Sequence, residues 1–317
     1  MAITLSQAQQ LSDSKLTKLV IDEFRKSALL DKLPFDNCVK PQGGKTMAYV
    51  YNRISTQPTA DVRAINTEYT PQETATAQHT VNLKIFGGSF QVDRVIMSNE
   101  TQVVDHVMFQ IAQKTKATIA KFHDMFINGD SGVGGGTEFD GLDKALTGSS
   151  TEKIPSAAIN LSGSANIDSN WQVFLDTLRR LRALMDGAPT LYLMNNDMLG
   201  IFQSVMDRAG INLASKDNFG NETYQWGPSL VMALGDKAGT SDPVIETAVE
   251  GTTSIYAVRL ALDGVHGVSP EGSKLVKEYL PDMTLPGAVK TGEVEMVAAM
   301  AVKATRSAAV LRNVQIA

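Results

Sequence analysis

Apolar and polar positions along this chain change period several times, and each change marks an element. Residues 1–11 are polar, with Gln7, Gln9 and Gln10, and read as a loose arm. From 14 to 33, Leu16, Leu19, Val20, Phe24, Ala28 and Leu29 recur at three- and four-residue steps, which predicts an amphipathic helix. Ser12 or Asp13 caps its start and Pro34 ends it. Over 45–54 and 78–95 the period drops to two: Met47, Tyr49 and Tyr51, then Val81, Leu83 and Ile85, and later Phe90 and Val92. These runs read as the arms of a hairpin. Between them, 57–77 carries Pro58, Pro71 and the threonines 59, 67, 70, 74 and 76, with almost nothing to bury. A connection of that length within a domain is as a rule functional or disordered. Here the flanking strands would hold it out like a finger.

A single apolar stripe at helical spacing follows. Val104, Val107, Met108, Ile111, Ile119, Phe122 and Phe126 define one face of a helix over 99–128. Asn99 is its N-cap, Gln102 is placed to reach back, and Gly129 stops it. At 1.5 Å per residue it spans on the order of 40 Å, well beyond an average globular helix. Glycines crowd 129–148 around the short run Phe139-Asp140-Gly141-Leu142, and the Ser- and Asn-rich stretch 149–170 is the best domain boundary. Beyond it the pattern is α/β. A helix carries Trp171, Phe174, Leu175, Leu178, Leu181 and Met185, and a short buried strand covers 191–194. Asn195 or Asn196 then caps a helix with Leu199, Phe202 and Val205, and another strand covers 255–260. Over 293–303, Val294, Met296, Ala298, Met300 and Val302 alternate as a strand with one buried face, returning the chain to its first domain.

Composition narrows the class. The 317 residues are 43% hydrophobic and 20% charged, as in a globular protein with a real core. No run approaches the ~18 consecutive apolar residues of a membrane span. The N-terminus has neither a basic start nor an apolar h-region, so synthesis in the cytoplasm is the default. Cys38 is alone, which excludes an intrachain disulfide and a multi-Cys metal site. A net charge of −5 argues against gripping nucleic acid by neutralising phosphates. The nearest basic cluster, Arg179, Arg180 and Arg182, reads as a solvated helix face.

Enzyme-like fragments dissolve on inspection. Gly129-Asp130-Ser131-Gly132 has the letters of a serine nucleophile loop, but His79, His106, His123 and His266 carry no signature and no triad partner is evident. His106 and His123 read as surface or half-buried residues. Gly43-Gly44-Lys45-Thr46 lacks the first glycine of a phosphate loop, since position 39 is Val, and a strand follows it. A soluble α/β enzyme would place its site at the strand-to-helix turn of Asn195, Asn196 and Asp197, although these residues are more economically helix caps. No catalytic residue, cofactor site or metal site is assigned.

The order of these pieces is familiar. An arm and helix ending in Leu29-Leu30-Asp31-Lys32-Leu33-Pro34 precede a long extended loop. A long helix closes on Phe126-Ile127-Asn128-Gly129-Asp130, then come Phe139-Asp140-Gly141-Leu142, an α/β insertion and a returning strand. Taken together, the chain resembles the major capsid protein of tailed double-stranded DNA bacteriophages, in the Hong Kong-type (HK97-like) fold, along essentially its whole length. The resemblance implies an α+β fold with an N-terminal arm and helix (1–44), an extended E-loop hairpin (45–92), a peripheral domain (93–160 and 288–317, with the spine helix at 99–128) and an axial α/β domain (161–287). It implies hexamers and pentamers of this chain tiling an icosahedral virion. Portal, scaffolding or cementing proteins would be partners, and packaged DNA would be touched only weakly and without sequence preference. Leu16, Phe24, Pro58, Val62, Ile65, Tyr69 and Pro71 are then the candidate inter-subunit contacts. Some relatives lock the shell with an isopeptide bond from an E-loop lysine, whereas 46–83 contains none. Some carry a scaffolding segment that is cleaved away, whereas here the arm begins almost at once. Encapsulin shells, which share the fold and usually have a shorter E-loop, are the rival within the class.

Overall fold

Leu29 and Leu33 are buried at the end of a helix that Pro34 terminates, as the periodicity predicts. The computed structural model describes residues 29–38, 46–56, 58–95, 103–211, 213–216, 222–270, 275–282 and 284–317. Positions 14–28 of the expected helix, the Asn99 cap with Gln102, and residues 43–44 therefore lie outside the described residues. After the last helical turn, α1 (Leu29–Lys32), comes β1 (Phe35–Asn37). The hairpin consists of β2 (Ala48–Thr56) and β3 (Ala75–Asn82), in register from Ala48↔Asn82 outward.

The expected second arm is in fact two strands. Leu83 breaks the alternation, its N–H bonding to the Met47 carbonyl at 2.8 Å, and β4 (Lys84–Asp93) then buries the opposite parity. Phe86, Phe90 and Val92 point inward, while Ile85, expected beside Leu83, is 67% exposed. A one-residue offset moves every side chain to the other face. β4 leaves the hairpin and pairs with the strand expected near the C-terminus, β14 (Val289–Val302), from Lys84↔Ala298 to Asp93↔Val289.

The long helix is α2 (Val103–Asn128), 26 residues or about 39 Å. Val107, Ile111, Phe122 and Phe126 are buried as expected, with Thr118, His123 and Met125 besides; Met108 stands about 100° round from Val107, at the edge of the stripe, and is 60% exposed. Its C-terminal end packs against α3 (Leu142–Leu146), whose Leu142 and Leu146 are buried. Short strands β5 (Glu152–Lys153) and β6 (Ile159–Asn160) lead to α4 (Gly163–Ala183), which starts two turns before Trp171, inside the expected boundary stretch. Then follow β7 (Leu191–Met194), α5 (Asn196–Arg208), β8 (Ala214–Lys216), β9 (Glu222–Trp226), β10 (Ser229–Ala233), β11 (Thr252–Val258), β12 (Val265–Ser269), β13 (Val276–Tyr279), β14 and β15 (Ala308–Gln315).

Two large sheets organise these elements. In the first, β14 is central, flanked by β4 on one side and by β12 and β13 on the other, with β1 parallel to β12 at the edge. The second runs β5-β15-β11-β7-β10-β9-β8, with β6 also on β15. Its central strands are buried on both faces, so they read as unbroken apolar runs. Tyr192, Met194, Ile255, Ala257, Ala309 and Leu311 face α4 and α5, whereas Leu191, Leu193, Tyr256, Val258 and Val310 share a core with Phe122, Phe126, Met296 and Met300. Pairing cuts across the divisions expected by chain position. β12 and β13, within 161–287, join the β14 sheet, while β15, within 288–317, crosses through Thr305–Ser307 to the β11 sheet. Alternation shows that a strand has a buried face but does not name its neighbour.

Candidate assembly surface

The finger is held at its base by one face of β2. Tyr49, Tyr51 and Arg53 stand at alternate positions and so project to the same side. The Tyr49 hydroxyl donates to Asp36 Oδ2 at 2.7 Å and the Tyr51 hydroxyl to the Val302 carbonyl at 2.9 Å. Arg53 donates through Nε to the Lys303 carbonyl at 3.0 Å and through Nη2 to that of Val302. His79 of β3 stacks on Tyr51 at 5.6 Å, and His266 of β12 meets the Tyr49 ring edge-on at 5.6 Å. Lys303 Nζ lies 5.3 Å over the same ring. Burial works upward on the Asp36 carboxyl, yet the bonds from Tyr49 and the Asn37 N–H, with the Lys303 charge, hold it below its ordinary value. Burial also raises Tyr49, reinforced by the Asp36 charge. The base is thus a polar clamp between an anionic Asp36 and a neutral Tyr49.

Beyond Arg53 this attachment ends. Val50 and Ile54, on the opposite face of β2, are 49% and 67% exposed. Residues 58–74 carry no helix or strand, and Pro58 and Pro71 are exposed. Val62 is 101% exposed, Ile65 90% and Tyr69 58%. Among the described residues, the hydrogen bonds of this segment stay inside it. The Thr59 N–H and hydroxyl donate to Gln72 Oε1 across the loop, at 2.7 and 2.9 Å, and Arg63 Nη1 donates to the Thr67 carbonyl at 3.2 Å. Arg63 lies 5.4 Å over the Tyr69 ring, and Asn66 at the tip adopts φ 67°, which Asn tolerates better than most residues. Of the seven candidate contacts, Pro58, Val62, Ile65, Tyr69 and Pro71 are thereby brought onto one protruding loop; Leu16 and Phe24 lie outside the described residues. The clamp residues Asp36, Arg53, His266 and Val302 were not anticipated. Their signal was the Tyr49-Tyr51-Arg53 alternation, but the carbonyls that receive Tyr51 and Arg53 lie some 250 residues away in sequence.

The fragments that suggested catalysis have structural work. Ser131 is exposed and its hydroxyl accepts from Lys144 Nζ at 3.2 Å; that ammonium also pairs with Asp130 at 2.5 Å and Asp140 at 2.7 Å. The arrangement ties the loop after α2 to α3. Gly129 and Gly141 let two backbones meet there: the Gly141 N–H donates to the Gly129 carbonyl at 2.8 Å, and a Cβ on Gly141 would stand 2.4 Å from the Ile127 carbonyl oxygen. Asn195 is 3% exposed; its Oδ1 accepts from the Met198 N–H at 2.7 Å, and its Nδ2 reaches Thr247 Oγ1 at 3.0 Å. That amide is committed to capping α5 and holding the 234–251 loop. His123, expected near the surface, is 3% exposed, and burial pushes its imidazole down to about 4. His266 lies in β12 and is fully buried, its imidazole lowered by burial and by Lys303. Among the described residues no group of His, Cys, Asp and Glu has metal-site geometry, and no helix is long and apolar enough to cross a membrane.

No family model and no curated protein matches the sequence. Solved structures do match along the whole chain. The SrpI encapsulin of Synechococcus elongatus PCC 7942, from a holo-encapsulin complex, superposes with a TM-score of 0.66 at 15% identity, covering 99% of this chain and 97% of that one. The capsid of a native GTA particle gives 0.61 at 12% identity, covering 98% and 100%. The capsid of the Myoviridae phage XM1 gives 0.58 at 12% identity, covering 99% of each. The fold of this chain is therefore the mixed α+β fold of these capsid and encapsulin shells, as the sequence resemblance implied.

Proposed function

We propose that this chain is the structural subunit of an icosahedral phage-type head, assembling as hexamers and pentamers around double-stranded DNA. The observation that carries this reading is the finger: a loop with exposed Val62, Ile65 and Tyr69, clamped at its base and with its hydrogen bonds among the described residues kept within itself, in a fold that is a shell fold from end to end. An extended segment with exposed apolar side chains gains stability only by lying on another molecule. On this reading β2, β3 and their loop are the E-loop, α2 is the spine helix, and the β14 sheet with α2 is the peripheral domain. The β11 sheet with α4 and α5 is the axial domain, and 1–44 supplies the N-terminal arm and helix. Pro58, Val62, Ile65, Tyr69 and Pro71 contact the neighbouring subunit, joined by Leu16 and Phe24. The role is structural and the location is the virion. Portal and scaffolding or cementing proteins complete the partner set, and the acidic wall touches packaged DNA weakly. Negative-stain microscopy of the purified chain tests this directly: shells or capsomer rings are expected, and particles of single-subunit size at every concentration would refute it.

A second reading has its own support, since the SrpI encapsulin superposes over nearly the full chain. The contents of the particles separate the two. A phage-type head assembled in cells holds nuclease-protected duplex DNA, while a compartment of the encapsulin kind holds protein cargo and none.

A further inference from the structure

A ring of identical subunits needs a contact whose two faces differ, so that each copy offers one face to the copy ahead and the other to the copy behind. The eight-stranded sheet carries two such faces, at opposite ends. Where the parallel strands β7 and β10 begin, the end of α4 and the β9–β10 turn enclose an open groove lined by Arg179, Arg182, Met185 and Trp226. Arg179 is paired with Asp176 at 2.8 Å, whereas Arg180 and Arg182 are exposed and have no ion pair among the described residues. Trp226 is a firm floor, its ring 5.4 Å from that of the buried Tyr192 and 6.2 Å from that of Phe202. The Tyr192 hydroxyl beneath it has no hydrogen-bond partner among the described residues.

The chain from 234 to 251 leaves the sheet where β10 ends and returns where β11 begins. Because β11 is antiparallel to β7, this loop stands at the other end of the strands from the groove. It carries Asp236, Asp242, Glu246 and Glu250 against a single Lys237, and Lys237 is taken by Glu246. Val249 is 108% exposed and Glu250 beside it is exposed and unpaired among the described residues. One end of the sheet thus presents the Arg182 guanidinium beside an aromatic floor, and the other an apolar side chain next to the Glu250 carboxylate, both charges without an ion pair among the described residues.

We infer that successive copies meet head to tail, with Val249 and Glu250 of one copy seated in the Arg182–Trp226 groove of the next. The inference deepens the shell reading and rests on it, assigning to particular residues the contact that closes a capsomer ring. Val249 covers the indole, and Glu250 accepts from Arg182, a fit that a like-charged pair at the same place would oppose.

The full-length chain tests it, since its one native cysteine, Cys38, is buried. Arg182→Cys and Glu250→Cys variants, mixed and oxidised, should give a disulfide-linked dimer. Either variant alone should give none, and the double variant should give a ladder of higher multimers. Arg182→Glu should raise the concentration for half-assembly about two- to five-fold, as for a rim ion pair, and adding Glu250→Arg to the same chain should restore it. Circular dichroism melts confirm that each variant folds. Dimers from one variant alone would mean a two-fold contact and overturn the inference. Absence of cross-links in particles that do assemble would overturn it while leaving the shell reading intact, and a chain that stays monomeric would sink both. If Arg182→Glu lowers retention of duplex DNA and leaves assembly unchanged, the groove serves nucleic acid and the inference is wrong.

Discussion

Replacing Val62, Ile65 and Tyr69 together by serine separates assembly from folding. Val62 and Ile65, 101% and 90% exposed, contribute almost no burial to the isolated subunit, and Tyr69, 58% exposed, is covered in part by Arg63 of its own loop, so the unfolding midpoint should move by no more than a degree or two. Their value appears only on a neighbour. Fully burying a Val, Ile or aromatic side chain is worth about 1.5–3 kcal/mol. A loop lying on a surface covers roughly one side of each, and Tyr69 is already partly covered by Arg63. Half the full value for three side chains gives about 2–4 kcal/mol per contact, or roughly a 30- to 1,000-fold rise in the concentration needed for assembly. Light scattering against subunit concentration reads this quantity, and a thermal melt of the unassembled subunit is the control. Shells forming at the parental concentration would show that the finger is not an assembly element. A melt lowered by several degrees would show that these residues are packed within the subunit.

Four further outcomes follow from geometry already described. Asn195→Ala removes the α5 cap and leaves a 3%-exposed site without its amide bonds; denaturant titration should show a loss of about 1–3 kcal/mol. Gly141→Ala forces a Cβ to within 2.4 Å of the Ile127 carbonyl oxygen and should cost about 1–3 kcal/mol in the same assay. His123 is held neutral by burial at about 4, below the usual value near 6.5 for the unfolded chain. Protonation therefore favours unfolding: its contribution is intact above about pH 6.5 and is lost as pH falls toward 4, on the order of 3 kcal/mol in total, and His123→Leu should flatten the stability profile in that window. Assembled particles boiled in detergent should run as one band at the 34.1 kDa chain mass, because 46–83 contains no lysine to form an isopeptide; a covalent ladder would contradict this.

Periodicity made the local elements legible, and it failed where pairing or rotation decides. The 3.6-residue stripe from Val107 to Phe126 and the two-residue alternation from Val294 are written in adjacent residues, and both elements form, although from Ala298 onward β14 buries Ala299 and Ala301 on its other face as well. Met108 was misplaced because it stands at the edge of the stripe, about 100° round from Val107, and that edge is covered only toward the C-terminal end, where Phe126 stands five turns on. Ile85 was misplaced because one residue, Leu83, switches parity as the chain leaves β3 for β14, and nothing in the local pattern announces a change of partner. β15 went unforeseen for a related reason: Ala308, Ala309, Val310 and Leu311 are all buried, and a strand covered on both faces shows no alternation. The finger was legible for the opposite reason. A segment with nothing to bury announces itself by composition, whatever its partners are.

The placement of β14 and β15 explains why the finger can be slender without being loose. β14 joins β4 and β12 to one sheet, and the chain crosses directly into β15 of the other, so the two sheets share one core that contains Phe122, Met300 and Val310. The crossing segment, Val302 and Lys303, supplies the carbonyls that receive Tyr51 and Arg53. The base of the finger is therefore fastened at the seam between the sheets, where the backbone is held from both sides. A load on the loop would therefore be borne by both sheets at once. On the proposed reading, folding energy resides in the sheets and α2, and assembly energy in side chains that the subunit leaves exposed. Substitutions on either side of that seam should alter one without altering the other. A variant that loosens the clamp itself, such as Arg53→Ala, should weaken both.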